Sequence, residues 1–461
     1  MLLTTIMKIP LSPPDFATLL SKLDGTALAH VIKIHENGLD NNYLHWDQIL
    51  RRTPPDGLSL EAWWASLKIA RHSLYRQLPF LDKNGKPFVI AMSEPVLIHL
   101  HHIDQEAGGK ILSSTDKNIP SKEHQRRYLI NSLIEEAITS SQLEGASTTR
   151  KVAEAMLRQG RKPRDHSERM IFNNYRAMET IRSMQKDQIT PERILELHAI
   201  LTKDTLEDEM DAGRLRNSDD IHVADNRDGS IIHQPPPFTE LPDRLKRLCD
   251  FANADENATP FIHPVVRAIL LHFMIGYDHP FADGNGRTAR ALFYWSMARS
   301  GYWLMEYVSI SHFLRKAPAL YVRAYLHTET DGNDTTYFVI HQLEIIRRAI
   351  AQFHEFFSRV YKQQLDFERL LASSPALRGQ LNYRQIALLT HALKHPGETY
   401  TIQGHQKIHG VALQTSRTDL LSLADMELLI KTLSGRSYLF TVPVDIHDRI
   451  NNLVASFQAT S

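Results

Sequence analysis

The chain has 461 residues, enough for about three domains that each bury a hydrophobic core. Its 53 basic and 53 acidic side chains balance, which excludes attraction of the whole molecule to nucleic acid or to an anionic membrane. A single cysteine, Cys249, excludes an internal disulfide and predicts a reducing, cytoplasmic location.

The first part of the chain, residues 1–115, combines helical periodicity with proline turns, which predicts a small, mainly helical domain. The stretch 106–121 is rich in Gly, Ser, Thr and Asp and predicts a linker. His99, His101 and His102 lie close together, but no acidic or cysteine cluster accompanies them. We therefore expect these three histidines to be structural rather than metal ligands.

A strongly helical segment follows, and it predicts a helix over residues 122–145 that ends at Gly145 as a C-cap. One stripe of this helix carries the following residues: Ile130, Leu133, Ile134, Ala137, Ile138 and Ser141. The helix therefore delivers Ser140 and Glu144 at its C-terminal end.

A β-hairpin is predicted over residues 221–233, where short β-branched runs flank the turn sequence "DNRDG". One run contains Ile221, His222 and Val223, and the other contains Ile231 and Ile232. Three consecutive prolines follow and exclude continued pairing.

Two further helices flank the most informative stretch of the sequence. Residues 264–277 form a wide apolar face typical of a buried helix, but they include Arg267 and are too short to span a bilayer, so we expect no membrane partner. Residues 334–371 predict one long amphipathic helix leading out of the domain.

Between these helices lies "HPFADGNGRTAR", residues 279–290. A helix that begins at Asn285 or Gly286 would direct unpaired N–H groups and a positive dipole end into the loop, which favours an anion. Gly284 and Gly286 remove Cβ atoms where a phosphate would approach the backbone. Asn285 is predicted to cap the helix and to donate to the same anion. Arg287 and Arg290, three residues apart, are predicted to bind further phosphate oxygens.

Two more groups of this stretch suggest phosphate-transfer chemistry. Asp283 offers the kind of carboxylate that binds Mg²⁺ beside phosphates. His279 is a residue type that accepts a proton from an attacking hydroxyl near neutral pH. The segment "GNGRTA" also fits a dinucleotide-binding fingerprint, but that motif requires a preceding strand, and a helical pattern precedes it here.

All fixed positions of this stretch match the Fic motif, H-x-F-x-[D/E]-G-N-G-R-x-x-R, and the similarity extends over residues 120–345. The chain thus resembles Fic-family protein AMP-transferases. The resemblance implies a helical Fic domain, here residues 120–372, in which ATP is the donor and Mg²⁺ binds at Asp283. It further implies that His279 is the base for a target Ser, Thr or Tyr hydroxyl.

The resemblance also suggests roles for the remaining groups. Asn285 and nearby amides would hold the α-phosphate, and Arg287 and Arg290 the β- and γ-phosphates. The hairpin would be a flap that aligns a target segment by strand addition.

The stretch "SSQLEG", residues 140–145, resembles the inhibitory pattern [S/T]-x-x-x-E-[G/N] of Fic proteins through Ser140, Glu144 and Gly145. Because it precedes the Fic motif, it resembles the class with an N-terminal inhibitory helix. That resemblance implies that Glu144 pairs with Arg290 and occupies the space of the γ-phosphate.

The last part, residues 380–461, shows three short helices followed by two β-type runs, a pattern typical of a winged helix-turn-helix. Thr401 is the predicted N-cap of the second helix. The third helix carries candidate DNA-facing groups at residues 414–418, but Asp419, Asp425 and Glu427 dilute the positive charge. DNA binding and protein binding or homodimerisation therefore both stay open.

The sequence thus predicts a mainly α, three-part protein whose central domain is an autoinhibited AMP-transferase. Its partner would be a target protein, with the chain itself as one candidate target. Two alternatives remain: a Fic enzyme that removes AMP with Glu144 positioning a water, and a transcriptional regulator that senses nucleotide and binds DNA.

Overall fold

The computed structural model of the chain describes residues 9–22, 42–55, 57–108, 122–224, 228–373, 379–394, 397–434 and 437–459. The chain divides into two compact units, residues 1–111 with 131–351 and residues 112–130 with 352–461. The predicted domain boundary at residue 115 lies outside the described residues. Across the described ranges, no helix is both long and apolar enough to cross a membrane.

The first unit is mainly helical, which confirms the predicted fold class. Its helices are α1 (Phe16–Lys22), α2 (Trp46–Ile49), α3 (Leu60–His72), α4 (Glu94–Ala107), α5 (Lys122–Leu143), α6 (Arg150–Gln159), α7 (His166–Ser183), α8 (Pro191–Thr202), α9 (Leu241–Asn253), α10 (Pro264–Asp278), α11 (Asn285–Arg299), α12 (Ile310–Lys316), α13 (Pro318–Thr330) and α14 (Thr336–Ser373). Residues 122–130 of α5 and 352–373 of α14 belong to the second unit.

The centre of the first unit is formed by α10 and α11, which are buried along most of their length. Pro264 occupies the first turn of α10, where a missing N–H costs nothing, and the His263 imidazole accepts a hydrogen bond from the Val265 N–H. The apolar face predicted for residues 264–277 is buried here. The loop between the two helices is therefore anchored at both ends by buried helices.

The N-terminal residues contain a hairpin that the helical prediction for residues 1–115 missed. Strands β1 (Tyr75–Leu81) and β2 (Pro87–Ala91) pair antiparallel. The turn contains Asn84-Gly85, with Gly85 at φ +77°, and the Asp82 carboxylate accepts from the Asn84 and Lys86 N–H groups. An Asn-Gly dipeptide before an apolar run is a strong hairpin signal, and it was present in the sequence.

Buried polar contacts join these N-terminal residues to the loop between α13 and α14. The Asp334 carboxylate accepts from the Tyr43 hydroxyl at 2.7 Å and from the Tyr75 hydroxyl at 2.9 Å. The buried Arg71 guanidinium donates to the Tyr337 hydroxyl at 2.7 Å. The N-terminal residues therefore share one compact unit with the motif-bearing helices.

The predicted hairpin over 221–233 forms two short strands, β3 (Val223–Ala224) and β4 (Ile231–His233), which pair antiparallel. Ile221 and His222 precede β3 rather than lying within it. The middle of the predicted turn, residues 225–227, falls outside the described residues.

The second unit ends in a compact arrangement of helices and a small sheet. Its elements are α15 (Tyr383–Lys394), β5 (Thr399–Thr401), α16 (Ile402–His409), α17 (Leu413–Asp425), β6 (Ile430–Ser434), β7 (Ser437–Thr441) and α18 (Ile446–Ala459). The sheet is antiparallel in the order β5-β7-β6, and Thr401 caps α16 by accepting from the Gly404 N–H. The three helices, the two β runs and this cap agree with the sequence prediction, whereas β5 and α18 were not predicted.

A buried polar network inside the second unit corrects the interpretation of Asp419. Its carboxylate accepts two hydrogen bonds from Arg384, one from Asn382 at 2.7 Å and a contact from His405 at 3.2 Å. Because its side chain is only 4% exposed, Asp419 does not dilute the surface charge of α17. Ser416, predicted to face outward, is buried, and its hydroxyl donates to the Ile402 carbonyl.

Candidate active site

The junction of α10 and α11 opens onto a cavity of about 420 Å³. The chain leaves α10 at His279 in the left-handed region, at φ +46°, and enters α11 after Gly284, at φ +83°. Helix α11 begins at Asn285, as the sequence predicted. His279, Asp283 and Arg290 all line the cavity, together with Glu144 from the end of α5.

Asn285 fixes the shape of this loop. Its side-chain oxygen accepts from the Phe281 N–H at 3.0 Å, and its side-chain nitrogen donates to the Phe281 carbonyl at 2.8 Å. The N-cap of α11 is Gly284 rather than Asn285, which corrects the predicted capping role. The first bond of the helix runs from the Thr288 N–H to the Gly284 carbonyl, so the amides of residues 285–287 precede the helical ladder.

His198 of α8 also supports this loop, although no sequence motif pointed to it. Its ring stacks on Phe281 with centroids 3.8 Å apart. Its Nδ1 accepts from the Gly213 N–H at 3.0 Å, so its Nε2 carries the hydrogen and donates to the Asp283 carbonyl at 2.8 Å. Burial lowers the pKa of His198 to about 4, which keeps this neutral tautomer in place.

Arg216, from the "AGRLR" segment, holds the other end of the loop. Its backbone N–H donates to the Pro280 carbonyl and its Nε donates to the His279 carbonyl, each at 2.9 Å. Its Nη2 donates to the Pro236 carbonyl, which anchors the residues after β4. The segment therefore fixes the backbone that carries His279.

His279 presents a free acceptor nitrogen in this arrangement. Its Nδ1 lies 3.0 Å from the Gly276 carbonyl, and because a carbonyl only accepts, Nδ1 carries the hydrogen. The neutral ring therefore has its lone pair on Nε2. Burial lowers the pKa of His279 below the ordinary 6.5, so the ring is uncharged at neutral pH and able to take a proton.

Gly284 and Gly286 are required by close neighbours. A Cβ on Gly284 would lie 2.6 Å from Thr202 Cγ2, in a backbone conformation that other residues rarely adopt. A Cβ on Gly286 would lie within van der Waals overlap of the Glu144 carboxylate. That carboxylate thus rests against the first turn of α11, where the amide groups and the dipole favour an anion.

The structure separates the two motif arginines. The Arg287 side chain is fully buried, donates through Nη1 to the Leu201 carbonyl at 3.0 Å and contacts Asp283 Oδ2 at 3.2 Å through Nη2. It is not among the residues that line the cavity and lies behind Asp283, and its predicted contact with phosphates stays a prediction. The Asp283 side chain is 59% exposed.

Arg290 instead faces the cavity and binds the end of α5. Its Nε donates to Ser140 Oγ at 2.8 Å, and its Nη2 donates to the Ser140 carbonyl at 2.9 Å and to Glu144 Oε1 at 2.8 Å. Although burial alone lowers the pKa of Arg290, the Glu144 carboxylate raises it, so the guanidinium stays charged. Gly145 follows at φ +95°, which turns the chain away after Glu144.

The remaining walls come from the hairpin and from α13. His222, Val223 and Ile232 line the cavity, whereas Ile221 and the exposed Ile231 do not. Tyr321 and Tyr325 of α13 also line it, and the sequence prediction did not include them. Their helical spacing of four residues is a weak signal, because such pairs are common in ordinary cores.

The fold and the site together describe a mainly helical protein with a cavity at the start of a central buried helix. Residues 188–297 match the model of the Fic/DOC family. The chain is 28% identical over 220 residues to the protein adenylyltransferase fic-1 of Caenorhabditis elegans, which covers 47% of this chain and 40% of that protein. It is 34% identical over 119 residues to the protein adenylyltransferase Fic of Drosophila willistoni, which covers 26% of this chain and 22% of that protein.

A solved structure gives the same fold. A Fic family protein from Desulfovibrio desulfuricans G20 superimposes with a TM-score of 0.50 at 19% identity, covering 76% of this chain and 97% of that chain. The sequence matches span less than half the length of the two curated relatives. The sequence similarity therefore concerns only part of each protein.

Proposed function

We propose that the chain is an autoinhibited protein AMP-transferase that moves AMP from ATP to a Ser, Thr or Tyr hydroxyl of a target protein. One observation carries the proposal. The neutral His279 imidazole, the amide-rich start of α11 and the Arg290 guanidinium face one cavity, and Glu144 occupies its anion-binding end.

The start of α11 binds the triphosphate. Its first amide groups lie outside the helical ladder, and Gly286 leaves the backbone open to close approach on the side that Glu144 now occupies. Gly284 allows the left-handed turn that leads into the helix. Arg290 supplies the positive charge for the terminal phosphate once Glu144 has left. Asn285 lines the cavity and also fixes Phe281, and Arg287 supports the cradle by fixing Asp283.

His279 performs the proton transfer. The target hydroxyl oxygen forms a bond to the α-phosphorus, its proton passes to His279 Nε2, and the bond to the β-phosphate oxygen breaks to release pyrophosphate. Gly276 and Arg216 hold the imidazole and its backbone, so the acceptor nitrogen is oriented before the target arrives.

The residues present fit a Mg²⁺ ion. Asp283 exposes its carboxylate at the cavity, and the Arg287 contact and the His198 bond to its carbonyl limit its movement. A hard cation takes oxygen ligands, and Mg²⁺ commonly binds through one carboxylate together with substrate phosphates. When bound, Mg²⁺ would neutralise phosphate charge.

Glu144 is the proposed inhibitor, with Ser140 and Gly145 as its supports. Its carboxylate competes with a terminal phosphate for Arg290 and for the first turn of α11. Because both groups are anions, they cannot share this position without repulsion. The chain therefore binds nucleotide poorly, or in an unsuitable geometry, until Glu144 moves.

The hairpin is the proposed target-binding flap. Strands β3 and β4 border the cavity, and a target segment in extended conformation would pair with an exposed strand edge. Ile231, which is 52% exposed, offers an apolar contact on this flap. We propose that the target includes the chain itself under conditions that release Glu144.

The test is intact-mass spectrometry of the full chain after incubation with Mg²⁺ and each of ATP, GTP, CTP and UTP. Glu144→Gly should gain the mass of AMP with ATP, Glu144→Gln should gain less, and the double variant with His279→Ala should gain none. Incubation with cell lysate extends the test to other targets. If Glu144→Gly labels no protein with any of the nucleotides, the proposal is wrong.

The AMP-modified protein from this experiment also tests the reverse reaction, the removal of AMP. AMP-modified chain made with Glu144→Gly is incubated with the unmodified wild-type protein, and free AMP is measured. Release that requires Glu144 would assign the removal of AMP to this site. Persistence of the modification would leave transfer as the activity.

For residues 379–459 we propose a winged helix-turn-helix, supported by the order α15, β5, α16, α17, β6, β7 and the three-stranded sheet. Gln414, Arg417 and Thr418 are exposed on the third helix of this unit. A salt-dependent gel shift on the protein's own promoter tests DNA binding, and light scattering tests homodimerisation. A cytoplasmic location stays a prediction from the single cysteine.

A further inference from the structure

A second cluster of titratable side chains lies in the first unit, away from the cavity residues. His45 precedes α2, Asp47 lies in its first turn, and His327 lies in the last turn of α13. The exposed fractions are 0% for His45 and 6% each for Asp47 and His327. The mechanism proposed above uses none of the three.

Their ligand atoms converge on one point. His45 Nδ1 lies 2.9 Å from Asp47 Oδ1, and His327 Nε2 lies 3.1 Å from the same oxygen. The three atoms lie within 4.8 Å of one another, and the two imidazole rings are stacked with centroids 4.2 Å apart. Two nitrogens and a carboxylate oxygen therefore meet in a dry interior.

The hydrogen bonds of His45 leave its Nδ1 without a hydrogen. The Thr330 hydroxyl donates to the Leu326 carbonyl at 2.6 Å, so its oxygen must accept the hydrogen bond from His45 Nε2 at 3.2 Å. The Asp47 N–H also points to Nδ1, at 3.3 Å, as it would to an acceptor. In the neutral ring, Nδ1 is a lone pair facing a carboxylate oxygen.

His327 adds a second buried imidazole nitrogen to this point. Within the described part of the chain, its buried Nε2 makes no hydrogen bond of acceptable geometry, although it faces Asp47 Oδ1. Buried polar atoms are nearly always paired, and an unpaired one costs about 1–3 kcal/mol. A cation bound by all three atoms would relieve the repulsion between His45 Nδ1 and the Asp47 carboxylate. It would also give His327 Nε2 a partner.

We propose that His45, Asp47 and His327 bind a divalent transition-metal ion of the Zn²⁺ type. Imidazole nitrogens with a carboxylate suit Zn²⁺, whereas Mg²⁺ and Ca²⁺ take all-oxygen sets. Ligand atoms about 2 Å from a tetrahedral ion lie about 3.3 Å apart. The two distances to Asp47 Oδ1, 2.9 Å from His45 and 3.1 Å from His327, are close to that spacing. A carboxylate that binds through both oxygens gives four ligand atoms from three residues.

The second contact of His45 is typical of a metal ligand. Metal-bound histidines almost always donate their other N–H to an oxygen that orients the ring, and Thr330 Oγ1 occupies that position. The metal would join α2 to the end of α13, the helix whose Tyr321 and Tyr325 line the active-site cavity. Its expected effect is structural, and it does not depend on the proposed transferase activity.

The test is metal analysis by inductively coupled plasma mass spectrometry on the full chain, produced with zinc and then dialysed without chelator. We expect about one zinc per chain in the wild type and in His101→Asn, whose exposed histidine lies on α4 and controls for adventitious binding. We expect His327→Asn to lose most of that metal. Equal zinc in His327→Asn and wild type would overturn the proposal.

A second measurement tests the proposal even if His327→Asn fails to fold. Wild-type chain produced with Co²⁺ should show the visible absorption of a low-coordinate site with nitrogen ligands, and a strong chelator should lower its melting temperature. Absent absorption together with no zinc in the wild type would overturn the proposal and leave a histidine pair that shares a proton with Asp47.

Discussion

Glu144 Oε1 accepts a hydrogen bond from Arg290 Nη2 at 2.8 Å, directly over the first turn of α11. The two residues are separated by 146 positions in the chain. Ser140 binds the same guanidinium through its hydroxyl and its carbonyl, so the end of α5 surrounds Arg290 on two sides. The contacts that hold α5 in this position therefore determine how strongly Glu144 blocks the site.

Glu136, eight residues before Glu144, is expected to set that register. Its buried carboxylate accepts hydrogen bonds from the Tyr294 hydroxyl, the Ser309 hydroxyl, and the N–H and hydroxyl of Ser311. Glu136→Gln places amide hydrogens among these donors. Weakening the closed arrangement by about 1 kcal/mol shifts the open fraction about fivefold. The initial rate of AMP incorporation should rise accordingly.

The control combines Glu136→Gln with Glu144→Gly. If Glu136 acts by positioning Glu144, its substitution should change nothing further in the Glu144→Gly background. A further rise in the double variant would contradict this role. A fall in rate in both backgrounds would indicate that Glu136 supports the catalytic core instead.

Gly284→Ala should disrupt the loop that carries Asp283. The new Cβ would lie 2.6 Å from Thr202 Cγ2, and the alanine would have to adopt φ +83°. We expect a loss of about 2–4 kcal/mol in the free energy of unfolding from strain and overpacking. Tryptophan fluorescence during guanidinium unfolding measures it, because all five tryptophans lie in the first unit.

Gly301→Ala is the matched control for that variant. Gly301 has nearly the same backbone angle, φ +84°, but a Cβ there meets no atom within 4 Å. It should therefore lose only the strain contribution, about 1 kcal/mol. Equal losses in the two variants would show that contact with Thr202 is unimportant.

His198 should make the first unit less stable as the pH falls. Burial lowers its pKa from 6.5 to about 4, so below pH 6.5 the unfolded chain binds a proton that the folded chain excludes. The stability is complete above pH 6.5 and is lost as the pH falls toward 4. From pH 7 to pH 5 the loss is about 2 kcal/mol for one such group.

Replacement of His198 by Asn should reduce this slope. Burial also lowers the pKa of His341 to about 4, so about half of the combined loss from these two groups should remain. Unfolding free energies from tryptophan fluorescence at pH 7 and pH 5 give the comparison. An unchanged slope in His198→Asn would show that His198 is protonated in the folded chain.

The sequence predicted the residues of the site better than their directions. His279, Asp283 and Arg290 line one cavity because helical periodicity predicts where α10 ends and α11 begins. Glu144 reaches the same cavity from the end of α5. Arg287 could not be placed in the same way, because its orientation depends on the Leu201 carbonyl at the end of α8.

The contacts that support the loop also could not be predicted from the sequence. His198 supports the loop through a stacked Phe281 and a carbonyl 85 positions away, a pairing that only tertiary packing creates. The β1–β2 hairpin differs, because its Asn84-Gly85 turn is a local hairpin signal that the sequence itself contains.

Asp419→Asn should lower the local stability of the second unit and leave that of the first unit unchanged. The substitution removes the charge that pairs with Arg384 and turns an amide toward the Asn382 and His405 donors. We expect a loss of about 3 kcal/mol in local stability, measured as faster hydrogen–deuterium exchange in peptides from α15 and α17. Asp425→Asn, at an exposed position of the same helix, is the control and should exchange like the wild type. Faster exchange in both variants, or in neither, would contradict the assignment of Asp419 as the centre of this network.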